Sequence, residues 1–109
     1  MDGHIRNTAM TFAREVRRSE VYQEYAQQLA KVKSEPGLYE KVNEFRKKNF
    51  DIQNNGSSEN MMERLEELDK EYSWLRENAL VEDFLQAELA FCRMMQEIDA
   101  LIVRELDFQ

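Results

Sequence analysis

Glycine and proline together fill 4 of 109 positions: Gly3, the adjacent Pro36-Gly37, and Gly56. Tight reversals lean on these two residues, so few of them are available to this chain. An all-β architecture, which needs a turn at every strand end, is therefore disfavoured, and helices must carry most of the fold. The length suits one domain. It is read here as a single all-helical unit over residues 1–109, with residues 1–7 frayed at the amino terminus.

The apolar spacing agrees. Phe12 and Val16 lie four apart, and Tyr22, Tyr25, Leu29 and Val32 follow in steps of three and four. The six-residue step from Val16 to Tyr22 breaks the stripe, and Ser19 stands in the gap as a helix cap with Glu20 behind it. Two helical pieces are expected there, joined at a bend near Arg18-Ser19-Glu20. Ser34-Glu35-Pro36-Gly37 stops the second piece, with Pro36 suited to the first turn of the next helix and Ser34 or Glu35 in capping position. Leu38, Val42, Phe45, Asn49 and Ile52 then repeat every 3.5 residues, and so do Met61, Leu65, Leu68, Tyr72 and Leu75. Such narrow seams belong to a helical hairpin or coiled coil. Between them, Asn54-Asn55-Gly56-Ser57-Ser58 is the clearest loop signal, placed over residues 53–58. Glu44 with Lys48, and Glu66 with Lys70, are spaced to pair along the outer faces.

A last helix is expected from about Leu80 to Leu106, capped by Asn78. Its apolar stripe is broad: Val81, Phe84, Leu85, Phe91, Cys92, Met95, Ile98, Ile102 and Leu106. One thin hairpin cannot cover it. The fold class that follows is an all-α hairpin or bundle with a long carboxy-terminal helix, oligomeric through that helix. The candidate interface is Val81, Phe84, Leu85, Phe91, Met95, Ile98 and Ile102, with Trp74 as a further anchor.

Charge separates along the chain. Residues 1–54 hold 10 Lys/Arg and 8 Asp/Glu, whereas residues 55–109 hold 5 and 14, within a formal total of −7. The opposite signs favour folding the two halves against each other. So acidic a chain is a poor nucleic-acid ligand. Arg14, Arg17 and Arg18 form a basic patch on one face, and Arg46-Lys47-Lys48 a second; both suit an acidic partner or the acidic half of a second copy.

Little chemistry is visible. One Cys and one His exclude an intrachain disulfide and any His-pair metal centre. Cys92 reads as a small buried hydrophobe, and Glu88, inside the last stripe, as a carboxylate at its edge, paired with Arg or solvated. No catalytic, cofactor-binding or metal site is assigned. No apolar run approaches the roughly 20 residues of a membrane span, and the start lacks a secretory apolar core. A cytoplasmic location is expected, with the unpaired thiol in keeping.

Several segments in order resemble the YlbF/YmcA family of small bacterial regulators, which includes the YheA-type proteins. They are Ser19-Glu20-Val21-Tyr22-Gln23-Glu24-Tyr25, Ser34-Glu35-Pro36 followed by Leu38 to Phe45-Arg46, Asn78-Ala79-Leu80-Val81 through Glu88, and Met94-Met95-Gln96-Glu97-Ile98. The resemblance spans about Ala9 to Leu106. It implies a helical cytosolic protein that self-associates as a dimer or larger oligomer and acts through other cytosolic proteins, without catalytic residues, in bacterial development and RNA processing. Two departures stand out. Ala79 replaces a frequent proline, and the cysteine-rich tail through which some members take part in iron–sulfur binding is missing from Asp107-Phe108-Gln109. The expected function is that of a non-enzymatic adaptor. The alternatives are a helical holdase that grips many clients and, further off, a small-ligand or metal-binding bundle centred on Glu88 and Cys92.

Overall fold

Helix ends organise this molecule, because each has to satisfy backbone groups that the helix itself leaves unpaired. The computed structural model describes residues 1–55 and 58–107. Among them run α1 (Gly3–Arg18), α2 (Glu20–Ser34), α3 (Leu38–Asn55), α4 (Ser58–Glu71), α5 (Ser73–Arg76) and α6 (Ala79–Leu106). The Asp2 carboxylate accepts from the His4 amide at 2.7 Å, so α1 is helical from Gly3, within the stretch expected to fray. An acceptor at that position supplies a missing partner at the positive end of the helix dipole.

The bend expected at Ser19 is a full break. Ser19 is extended (φ −64°, ψ 148°), its hydroxyl accepts from the Tyr22 amide at 3.2 Å, and the same hydroxyl donates to the Val16 carbonyl at 2.6 Å. One residue thus closes α1 and opens α2.

The next junction departs from expectation. Pro36 is not in the first turn of α3, and neither Ser34 nor Glu35 caps that helix. Ser34 is the last residue of α2 and donates to the Lys31 carbonyl, while the Leu38 amide bonds the Glu35 carbonyl at 3.2 Å. Gly37 sits at φ 77°. A four-residue turn with proline second and a left-handed glycine third is a type II turn, and it uses Pro36-Gly37 as a unit.

The loop expected over residues 53–58 shrinks, since α3 persists to Asn55 and helix resumes at Ser58. Asn54 donates its side-chain amide to the Phe50 carbonyl at 2.8 Å, consistent with a helix that continues there. Gly56 and Ser57 lie outside the described residues. A break that the spacing did not signal falls at Tyr72 (φ −108°, ψ 19°), where α4 gives way to the single turn of α5. Asn78 then caps α6, accepting from the Leu80 and Val81 amides at 2.9 and 3.4 Å.

The core forms where these helices meet. Val32, Leu38, Val42, Ile52, Leu68, Tyr72, Leu75, Val81 and Phe84 are buried together, with Phe45, Met61 and Leu65 packed against them. Both seams therefore point inward, and α3 packs on α4. The i,i+4 pair Glu44–Lys48 closes at 3.5 Å; Glu66 and Lys70 form no ion pair. Along α6, Tyr22 meets Phe91 and Tyr25 meets Phe84, so α2 and α6 run antiparallel. The radius of gyration is 18.2 Å, against about 13 Å for a compact chain of this length. The elongation leaves much of the helical surface outside the core.

Candidate interaction surface

Geometry divides α6 into a covered and an open half. Its 28 residues span about 42 Å, whereas the 15 residues of α2 reach only about 22 Å. Over the covered part, Tyr25 stacks on Phe91 and Phe84 with ring centroids 5.1 and 6.2 Å away, and Tyr22 meets Phe91 edge-on at 5.4 Å. Tyr39 of α3 closes on Phe84 at 6.2 Å. Burial raises the Tyr25 hydroxyl above its ordinary pKa, with Glu88 adding to the effect. Beyond Phe91 the helix outruns α2, and Met95, Leu101, Ile102 and Leu106 are exposed, with Met94, Ile98 and Val103 half-buried.

The expected interface residues therefore fall into two groups. Val81 and Phe84 are enclosed in the chain's own core and present nothing to a partner. Leu85, Phe91 and Ile98 are half-buried, and Met95, Ile102 and Trp74 are exposed. Leu106, the last residue of the expected stripe, and Leu101 beside it are exposed on the same half, while Leu89 is exposed on another side of the covered half. Cys92 corrects an expectation. It is exposed: one residue past Phe91, it is turned about 100° from the side of α6 that meets Tyr22 and Tyr25.

Helix α1 has no buried residue, and the element it packs against in substance is α2, next to it in the chain. Ile5, Met10 and Phe12 are exposed and Val16 is half-buried. Arg14, Arg17 and Arg18 stand together at its carboxy-terminal end, where cations complement the helix dipole. Arg18 pairs with Glu15 at 3.1 Å across an exposed surface. Among the described residues, Arg14 and Arg17 have no such partner.

Two polar contacts fix the hairpin to the rest. Arg46 donates to Glu88 at 2.5 Å and lies over the Phe84 ring at 5.5 Å, joining α3 to α6. Glu88 is thus the paired carboxylate at the stripe's edge, and Arg46 leaves the basic run at 46–48 to do this. The Tyr72 hydroxyl donates to Glu44 at 2.6 Å; with Lys41 it holds the Glu44 carboxyl below its usual range. The Tyr72 hydroxyl, with Glu71 and Glu44, pushes Lys48 up to about 12. Trp74 borders a shallow groove of about 520 Å³ with Pro36, Leu38, Lys41 and Leu80. No helix among the described residues is long and apolar enough to cross a membrane.

Comparison with known proteins matches residues 5–107 to the family described as control of competence regulator ComK, YlbF/YmcA. A UPF0342 protein of Desulfitobacterium hafniense is 26% identical over 100 residues, covering 90% of this chain and 81% of the relative. No solved structure matches the chain.

Proposed function

Given that the chain belongs to the YlbF/YmcA family, whose description is the control of a competence regulator, we propose that it is a non-enzymatic regulatory adaptor. It works in the cytoplasm by helix-on-helix association, with itself and with a small set of protein partners. One observation carries this reading: the apolar face of α6 continues past the end of its intramolecular cover, through Met95, Leu101, Ile102 and Leu106. Large exposed apolar side chains are tolerated singly on a soluble surface, but a row of them on one element marks a place where another protein sits. Leu85 and Phe91 lie at the edge of the face and Ile98 within it. Trp74 borders a separate groove, which suits a second contact.

The family description supports a regulatory role, and the exposed apolar side chains of α6 support this choice of contact region. The test is affinity purification of the tagged full-length protein from its native host, with mass spectrometry of what is retained. A few defined proteins, lost on the Met95→Lys/Ile102→Lys double substitution, are expected. Recovery of many unrelated clients would instead favour a holdase and sink the adaptor reading.

A further inference from the structure

Helix α1 has no role in the contacts proposed for α6. We infer that α1 is an interfacial helix, which lies along the headgroup layer of an anionic membrane with its apolar stripe turned to the lipid. Such a helix needs an apolar face, cations beside it and low overall hydrophobicity, not a membrane-crossing length.

Alone among the described helices, α1 has no buried residue, yet it is more sharply amphipathic than α2, α3, α4 or α6. Ile5, Ala9, Phe12 and Val16 fall within an arc of about 60° on the helix, and Ala13 extends it. Arg6 and Arg17, both exposed, stand together about 100° round from the middle of that arc. With the stripe in the acyl boundary, they are level with the phosphate groups, where a long guanidinium side chain reaches the anions while its stem covers apolar surface. Arg14 and Arg18 lie farther round. At about the 10 Å width of a helix, they are still within roughly one Debye length of the headgroups.

Charge selects the surface. Helix α1 carries four arginines against Glu15, whereas the other 93 residues hold 11 Lys/Arg against 21 Asp/Glu. An anionic bilayer therefore attracts α1 and repels the rest of the chain. Ser19 is extended and α1 packs in substance only on α2, so the cationic helix projects from the acidic body. Among the described residues, Arg6, Arg14 and Arg17 have no ion-pair partner. A continuous anionic surface meets all three at once, whereas a protein groove would need a carboxylate placed for each.

The experiment is flotation of the full-length protein with vesicles of phosphatidylcholine alone, or of phosphatidylcholine and phosphatidylglycerol in equal parts, at low and at high salt. Wild type is compared with Arg6→Gln/Arg17→Gln, with Phe12→Ala, and with Lys47→Gln/Lys70→Gln, which removes the same charge from exposed positions outside α1. Unchanged far-ultraviolet dichroism is the check that each variant folds. Wild type is expected to bind the anionic vesicles only, and to leave them at high salt. Near an anionic surface each arginine contributes about fivefold in affinity, so losing Arg6 and Arg17 should weaken binding about 25-fold. Phe12→Ala should weaken it about tenfold by removing the largest side chain of the stripe. The lysine pair should leave it within about twofold.

Absence of binding to anionic vesicles overturns the inference and turns the basic face towards an acidic protein instead. Equal binding to both vesicle types removes charge as the selector, an equal loss from the lysine pair removes α1 as the contact, and full binding by Phe12→Ala removes the stripe; each overturns it as well. None of these outcomes bears on the contacts of α6.

Discussion

Phe84 is the residue on which three elements converge, so its removal tests the core most directly. Its side chain is fully buried, with Tyr25 and Tyr39 at 6.2 Å and the Arg46 guanidinium at 5.5 Å. Truncating a buried phenylalanine to alanine costs about 3–5 kcal/mol, from lost transfer energy plus the cavity left behind. Two aromatic partners and a cation over the ring place Phe84→Ala in the upper part of that range, about 4 kcal/mol. A chain of 109 residues has only about 5–16 kcal/mol of stability in total. The assay is urea denaturation followed by helical dichroism at one fixed protein concentration, because association shifts the midpoint. With a slope of about 1.5 kcal/mol/M, the midpoint should fall by about 2–3 M. Phe50→Ala, at a residue 63% exposed, serves as the control and should stay within about 0.5 kcal/mol of wild type. A loss of less than about 1.5 kcal/mol for Phe84→Ala, with the slope unchanged, would refute the placement of this ring at the centre of the core.

Other expectations follow from single contacts. Asn78→Ala removes the acceptor of two backbone amides and should cost about 1 kcal/mol in the same denaturation assay; no change would mean that the cap is redundant. Gln28 is buried and its Oε1 has no hydrogen-bond partner among the described residues, although its amide donates to Glu24 at 2.8 Å. Gln28→Met should therefore raise stability by about 1 kcal/mol, and a lowered melting temperature would contradict the burial argument. Glu44, depressed chiefly by its bond from Tyr72, contributes stability above its unfolded-state pKa and loses it as pH falls through the folded value. Lys48, raised from 10.5 to about 12 chiefly by Tyr72, contributes below 10.5 and loses that contribution as pH climbs to about 12. Tyr72→Phe should therefore flatten both the acid and the alkaline limbs of the stability–pH profile, and a profile parallel to wild type would disprove the shared role of that hydroxyl.

Local periodicity made much of the fold legible. The seam positions Leu38, Val42, Leu68, Tyr72 and Leu75 are buried as their 3.5-residue spacing requires, and the capping chemistry of Ser19 and Asn78 located two helix starts. What stayed hidden depends on which elements meet. Spacing assigns a residue to a face of a helix but does not say where a neighbouring helix ends. The broad apolar stripe therefore groups Val81 and Phe84, which are buried, with Met95 and Ile102, which are exposed, and it takes in Cys92, which lies off the side that packs on α2. The Arg46–Glu88 contact joins residues 42 positions apart, a separation at which no local pattern operates. The break at Tyr72 was masked because its side chain keeps the seam's phase while its backbone leaves the helix. Of the candidate surface, the α6 portion could be read from the breadth of its stripe. The α1 portion could be read only as an amphipathic pattern around Phe12 and Val16, with nothing to say that it remains unburied.

The one-residue junction at Ser19 makes α1 a lever. Its direction is set by the torsions of a single extended residue and by a few hydrogen bonds around it: the Ser19 amide and hydroxyl to the Val16 carbonyl, and the Gln23 side-chain amide to the Arg17 carbonyl at 2.5 Å. No buried side chain of α1 braces it. For an arm about 24 Å long, a rotation of about 20° at the fulcrum carries the Gly3 end through about 8 Å, roughly the width of a neighbouring helix. Small torsional adjustments at Ser19 thus suffice to aim the basic end and the apolar stripe of α1 together, while the core built around Phe84 stays where it is.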